Sequence, residues 1–207
     1  MSTLAELRAA LRVLLNDNAA EGYLWSDATL DLRLNDALRD YGRSLPRQRE
    51  TTVVTVAGQG EYDLPADCLA VTEVVGTAGQ GDWQPPLREV GGTDGPGYEV
   101  YGGRLILRPA PSEAGLSLNV RYLASHATLA ADGDPSTVPA ADEDLLLAFA
   151  CAGALQSLST EEAKRQRFEG RAGQPAEATA ALYRRQYERG IRARTTRVRA
   201  GRLVVIS

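Results

Sequence analysis

The chain has 207 residues, a formal net charge of −4, 43% hydrophobic and 24% charged residues, which describes a globular protein of one large domain or a core carrying an inserted module. No stretch reaches the roughly 20 apolar residues of a transmembrane helix, and the N-terminal MSTLAELRAALRVLLNDN is charged every few residues, unlike a signal peptide. A cytoplasm-like compartment is expected, with Cys68 and Cys151 as buried free thiols rather than a disulfide.

Charge is divided along the chain. Residues 160–207 hold 12 Lys and Arg against 5 Asp and Glu, whereas residues 1–159 hold 11 against 22. An acidic body followed by a basic arm suggests an arm that docks on something acidic.

Thr3-Leu4-Ala5-Glu6 is a capping-box pattern, and Leu4, Leu7, Leu11 and Leu14 follow at helical spacing, so a first helix is expected to about Asp17. Ser26 is a good N-cap for a second helix, with Trp25 placed to staple onto Leu30. Leu30, Leu34, Leu38, Tyr41 and Leu45 mark its apolar face, and Pro46 stops it.

From Glu50 the period becomes strand-like. Thr51–Val56, Glu61–Pro65 and Leu69–Val75 read as extended, followed by Gly76–Gly97, with seven glycines and three prolines in 22 residues. An insert of that length without structure of its own is usually functional or mobile. Tyr98–Tyr101 and Arg104–Arg108 flank Gly102-Gly103, a strong hairpin signal. Leu116, Leu118, Val120 and Tyr122 alternate with polar residues as a half-buried strand.

Val138–Leu158 is the stretch that organises the rest. After Pro139 and the acidic turn Asp142, Glu143 and Asp144, it is apolar from Leu145 to Leu155, so a helix here has no face to give to water and must be enclosed. Ala148, Ala150, Ala152, Gly153 and Ala154 would let other helices approach closely. Ser159-Thr160-Glu161-Glu162 reads as a second capping box opening a helix to about Gly170, and Glu177–Arg194 is helical again. Thr195–Ser207 places Arg197 and Arg199 on alternate positions and closes on Leu203-Val204-Val205-Ile206, apolar β-formers that need a partner edge.

The expected fold is therefore α+β: a mainly α-helical bundle with an antiparallel β module inserted between the second helix and the central apolar helix, and an extended C-terminal arm. Its boundaries are 1–48 for the N-terminal helices, 49–137 for the β module with its loop 76–97, 138–194 for the central and C-terminal helices, and 195–207 for the arm.

Catalytic and metal-binding patterns are largely missing. His126 is the sole histidine, and there is no GxSxG, GxxxxGK or HExxH. Asp132, Asp134, Ser136 and Glu143 match part of a calcium-loop template, but Thr137 stands where the turn demands Gly. No cofactor, metal or enzymatic activity is expected. Arg184, Arg185, Arg189, Arg192, Arg194, Arg197, Arg199 and Arg202 could neutralise phosphates, which keeps a DNA-binding assembly factor as the alternative function.

The order of these patterns resembles the head-to-tail adaptor, or connector, proteins of tailed bacteriophages. Trp25-Ser26-Asp27 opens a helix through Leu34-Asn35-Asp36-Ala37-Leu38-Arg39-Asp40-Tyr41, and Glu61-Tyr62-Asp63-Leu64-Pro65-Ala66-Asp67 leads into Leu69–Val75. Tyr98–Leu107, Arg108-Pro109-Ala110-Pro111, Leu118–Tyr122, Val138-Pro139 with the central helix, and Tyr187–Arg194 complete the resemblance over nearly the whole chain. Gly170–Pro175 departs from the long unbroken C-terminal helix of that family.

The resemblance implies a virion structural protein at the head-tail junction, assembled in the host cytoplasm. It implies a homo-oligomeric ring, commonly of 12 copies, beneath the portal protein, extending the channel for passing DNA and meeting the next tail or stopper protein. On that basis Arg192, Arg194, Arg197, Arg199, Arg202, Leu203, Val204, Val205 and Ile206 are expected to bind the portal. Trp83, Leu87 and Arg88 in the glycine-rich loop are expected to meet a neighbouring subunit or the tail.

Overall fold

The central helix, α3 (Glu143–Ser157), is packed by helices along its length, as its all-round apolar sequence requires. Leu145, Leu146, Ala148, Ala150, Cys151, Ala152, Ala154 and Leu155 are all buried. The computed structural model describes residues 1–18, 22–77, 86–90 and 96–203, with only the backbone at 77, 159 and 196–203.

Two helices precede the β strands. In α1 (Leu4–Leu14) both halves of the capping box form: Thr3 N–H donates to Glu6 Oε2 at 2.8 Å and Glu6 N–H to Thr3 Oγ1 at 3.3 Å. In α2 (Asp27–Ser44) Ser26 Oγ accepts from Thr29 N–H at 3.2 Å, and Leu30, Leu34, Ala37, Leu38 and Tyr41 face the core. Trp25 is buried, its indole N–H donating to Ala154 O at 3.2 Å and its ring edge-on to Phe168.

After α3 come α4 (Glu162–Ala172) and α5 (Ala176–Leu203). The second capping box does not form. Glu161 stands at the N-cap without a side-chain hydrogen bond, because Ser159, the cap of that pattern, lies in the 3-10 turn Leu158–Thr160 and α4 opens only at Glu162. Gly173, at φ 63, ends α4 in the left-handed conformation, so the break expected at Gly170–Pro175 is present. The segment 195–203, expected to be extended, instead continues α5. A helix already formed over Ala176–Arg194 extends at the cost of fixing one residue per added bond, and this propagation outweighs the alternating pattern read there as strand. Val204, Val205 and Ile206 lie outside the described residues.

The strands are β1 (Arg47–Val54), β2 (Glu61–Asp63), β3 (Cys68–Thr77), β4 (Gly97–Tyr101), β5 (Arg104–Arg108) and β6 (Ser117–Ala124). They form two antiparallel three-stranded sheets, ordered β1-β6-β3 and β2-β5-β4. Tyr62, Val74, Tyr98, Leu105, Leu107, Leu118 and Val120 make their shared core. On the polar face of the first sheet Arg121 is registered between Glu50 and Glu73 and pairs with both, at 3.3 and 2.6 Å. Gly102 and Gly103 have φ 59 and 78, the two positive values of the predicted tight hairpin turn.

The chain divides into a helical unit, Met1–Leu45 with His126–Ser207, and a β unit, Pro46–Ser125. Residues 126–137, expected in the β module, belong with the helices. Leu129 exchanges hydrogen bonds with the Asn35 amide of α2, both 2.9 Å, and Leu4 N–H donates to Asp134 O at 3.1 Å. His126 Nε2 lies 3.0 Å from Leu45 O, which can only accept, so this nitrogen carries the proton. Its Nδ1 is 3.0 Å from the Thr137 hydroxyl.

This division reassigns the charge. The helical unit carries 17 Lys and Arg against 17 Asp and Glu, the β unit 6 against 10, so the whole net charge of −4 belongs to the β unit. The basic C-terminal third and the acidic residues around α2 and α3 are folded together and cancel.

Candidate interface surfaces

In α2, Arg33, Asp36, Asp40 and Arg43 recur every three or four residues on the side away from Leu30, Leu34 and Leu38, so helical period alone gathers them into one stripe. In α3, Phe149, Gly153 and Gln156 fall on a matching line. Together with Arg39 and with Arg184 of α5 they line a groove of about 410 Å3 on the helical unit.

Gly153 has a definite role in it. A Cβ there would stand 3.3 Å from Arg33 Cδ, so the missing side chain is what lets the Arg33 stem lie across α3. Asp36 pairs with both Arg33 and Arg39. The Arg184 guanidinium lies over the Phe149 ring at 4.8 Å and pairs with Glu188 at 3.3 Å. Asp40 accepts from the Tyr187 hydroxyl, and Arg33 Nε is buried without an acceptor.

The expected arm residues divide. Arg194 is engaged within the helical unit: it pairs with Asp142, lies 3.8 Å from Asp144, and donates to Ala141 O at 3.0 Å. Tyr41 donates to the other Asp142 oxygen at 2.6 Å, and burial with that carboxylate raises the phenol above its ordinary value. The hydrogen bond to Asp142 likewise raises Arg194. Arg194 therefore fixes α5 to the start of α3. Arg192, two residues before this anchor and about half a turn round the helix, is exposed, while the backbone of Arg197, Arg199, Arg202 and Leu203 lies on α5 beyond it.

Of the loop residues, Trp83 lies outside the described residues. Leu87 and Arg88 are exposed, and their segment is tied to both sheets: Leu87 N–H donates to Val74 O at 2.8 Å, Tyr98 N–H to Arg88 O at 2.9 Å, and Val90 N–H to Tyr98 O at 2.8 Å. A Cβ on Gly97 would collide with the Arg88 carbonyl, so that glycine permits the close approach. The segment 86–90, read as structureless, is thus part of the β unit.

The partial calcium template is spent on other bonds. Asp132 pairs with Arg8 at 2.7 Å, Glu143 accepts from Ser2 N–H and Oγ, and Asp134 accepts the N–H groups of Ala130 and Ala131, which hold its carboxyl below the usual range. Among the described residues no group of three or more His, Cys, Asp or Glu is placed to hold a metal ion. Burial pushes the Cys151 thiol up to about 12, in keeping with a packing residue.

Sequence reading missed the groove. Its signal was present in the stripe Arg33, Asp36, Asp40 and Arg43, and in Gly153 and Gln156 as the non-apolar side of α3, but pairing α2 with α3 requires the fold.

The sequence was compared with protein families and with the curated proteins. No curated protein matches it. The SU10 adaptor protein family matches residues 2–205, nearly the whole chain. Among the described residues no helix is long and apolar enough to cross a membrane. The α+β fold, its β strands set between α2 and α3, and the extent of the match agree with the resemblance drawn from the sequence: the chain belongs to the SU10 adaptor protein family and is a structural adaptor of a bacteriophage virion.

Proposed function

We propose that the chain is a head-to-tail adaptor that assembles as a ring, of about 12 copies by resemblance to connector proteins, under the portal of a tailed phage. The family match over residues 2–205 carries this reading. The ring would extend the DNA channel, help retain packaged DNA and present a surface to the next tail component. Its action is mechanical.

Within this reading α5 is the portal-facing lever. Arg194 holds its base on α3, so Arg192, Arg197, Arg199 and Arg202 with Leu203–Ile206 are the portal-binding surface, and Trp83, Leu87 and Arg88 face a neighbour or the tail. Electron microscopy of the protein mixed with its cognate portal tests it. A ring stacked coaxially on the portal is the expected result. Failure to bind the portal, with tight and salt-sensitive binding of duplex DNA instead, would favour the assembly-factor alternative.

A further inference from the structure

The groove on the helical unit has more donors than acceptors. Four guanidinium groups line it (Arg33, Arg39, Arg43 and Arg184) against the carboxylates of Asp36 and Asp40. Asp36 is shared by two arginines and Asp40 is taken by Tyr187. Arg43 is exposed and has no carboxylate partner among the described residues, and Arg33 Nε has no acceptor. Arg184 pairs with Glu188 and the Arg33 Nε is buried, so an added carboxylate would be met first by the open fork of Arg43.

The lining favours a protein carboxylate over a nucleic-acid backbone. Asp36 and Asp40 alternate with the arginines along α2 and would repel a continuous line of phosphates. Phe149 and Gly153 form the floor, overlaid by the Arg184 guanidinium and the Arg33 stem, whose methylenes offer apolar contact beside the charge.

The β unit of this same chain carries the complementary feature. Its arginines and acids are largely matched: Arg121 with Glu50 and Glu73, Arg104 with Glu61 and Asp63, Arg108 with Glu99, Arg49 with Asp67. Glu89 and Glu113 are both exposed without an ion pair among the described residues, and Glu113 is the one bordered by exposed valines and a leucine. It is exposed in the 111–116 turn, and its carboxylate has no hydrogen-bond or ion-pair partner among the described residues. Around it Val54, Val56 and Leu116 are 55%, 50% and 45% exposed. The turn is held firmly, with Thr55 Oγ1 donating to Glu113 O at 3.0 Å and Thr55 N–H to Leu116 O at 2.8 Å.

We propose that the groove of Arg33, Arg39, Arg43 and Arg184 receives the Glu113 turn of a second copy of this chain. Glu113 meets the unpaired Arg43 fork, and the apolar residues beside it pack along the arginine stems that line the groove. Such a contact joins unlike surfaces head to tail, the geometry that closes into a ring when its rotation allows. The proposal rests on the ring reading and names its subunit contact.

Charge reversal tests it in the full-length protein. Arg43→Glu and Glu113→Arg are both at exposed positions, and unchanged thermal melting confirms that each variant folds. Self-association is read by sedimentation velocity and, on the portal, by electron microscopy. Each single reversal should weaken association by about tenfold or more, and the double variant should recover much of the loss. Reversals that leave association unchanged overturn the groove contact while the adaptor reading stands. A chain that assembles neither alone nor on the portal sinks both. Loss of duplex DNA binding in Arg43→Glu, with assembly unaffected, would make the groove a phosphate site and also overturn the proposal.

Discussion

Tyr187 of α5 donates its hydroxyl to Asp40 of α2 at 2.7 Å, while its ring packs edge-on against Phe149 of α3, centroids 4.9 Å apart. One side chain thus joins the three longest packed helices. Tyr187→Phe keeps the ring contact and removes the donor, leaving the Asp40 carboxylate short of a partner. The expected loss is about 1–2 kcal/mol in chemical denaturation. An unchanged midpoint would show that water replaces the hydroxyl fully.

The ionisable groups set two limits on stability. The hydrogen bond from Arg12 holds Asp27 below its ordinary 3.8, so its contribution is present above that pH and is lost as pH falls through the lower folded value. Burial, with Asp142 and Asp40, holds Tyr41 and Tyr187 above 10.0. Their contribution is full below pH 10.0 and declines as pH rises towards the raised folded values. Melting temperature against pH should show a plateau between the two limbs. Asp27→Asn should soften the acid limb by a small amount, since that carboxylate is largely exposed, and Tyr41→Phe should soften the alkaline one.

Two small residues on α3 should respond differently to enlargement. Ala150 is fully enclosed, so Ala150→Leu should overpack the bundle at a cost of about 1–3 kcal/mol. Gly153 faces the groove under Arg33, and Gly153→Leu should move that arginine at a smaller cost in stability. Equal drops in thermal midpoint would mean that the groove floor is packed as tightly as the core.

Gly97→Ala sets a methyl group against the Arg88 carbonyl, part of the backbone and unable to swing away. The bonds of Tyr98 to Arg88 and of Val90 to Tyr98 should open. Hydrogen exchange should therefore quicken at these two amides while α3 stays protected. Protection retained at Val90 would contradict this.

Deleting residues 203–207 should abolish docking on the portal without changing the melting temperature, because Arg194 and not the chain end anchors α5. Normal incorporation of the shortened chain into particles would remove that end from the portal-binding surface.

Most elements could be read from the sequence because their signals are local. The Thr3–Glu6 box, the Ser26 cap, the Gly102-Gly103 turn and the unbroken apolar run of α3 each act over a few residues. What escaped was decided at longer range. Ser159–Glu162 had the letters of a capping box, yet the 3-10 turn leaving α3 runs through Ser159 and Thr160, so α4 opens only at Glu162. Residues 126–137 carry little periodicity, and only their bonds to Asn35 and Leu4 assign them to the helices. Charge summed along the chain likewise suggested an acidic body, although folding puts the C-terminal arginines into the same unit as the acids of the first three helices, where the two signs balance, and leaves the net charge on the β unit.

The hydrogen bond that His126 Nε2–H donates to Leu45 O has a consequence for how such a chain can change. The two stems from which the β unit departs are clasped by a single side chain, so the helices meet the insertion as a closed loop. Closing a loop costs only slightly more as it lengthens, roughly 0.6 kcal/mol for each doubling. A longer or shorter chain beyond that clasp should therefore change the closure cost of the bundle by only a fraction of a kcal/mol, about the scale set by its change in length.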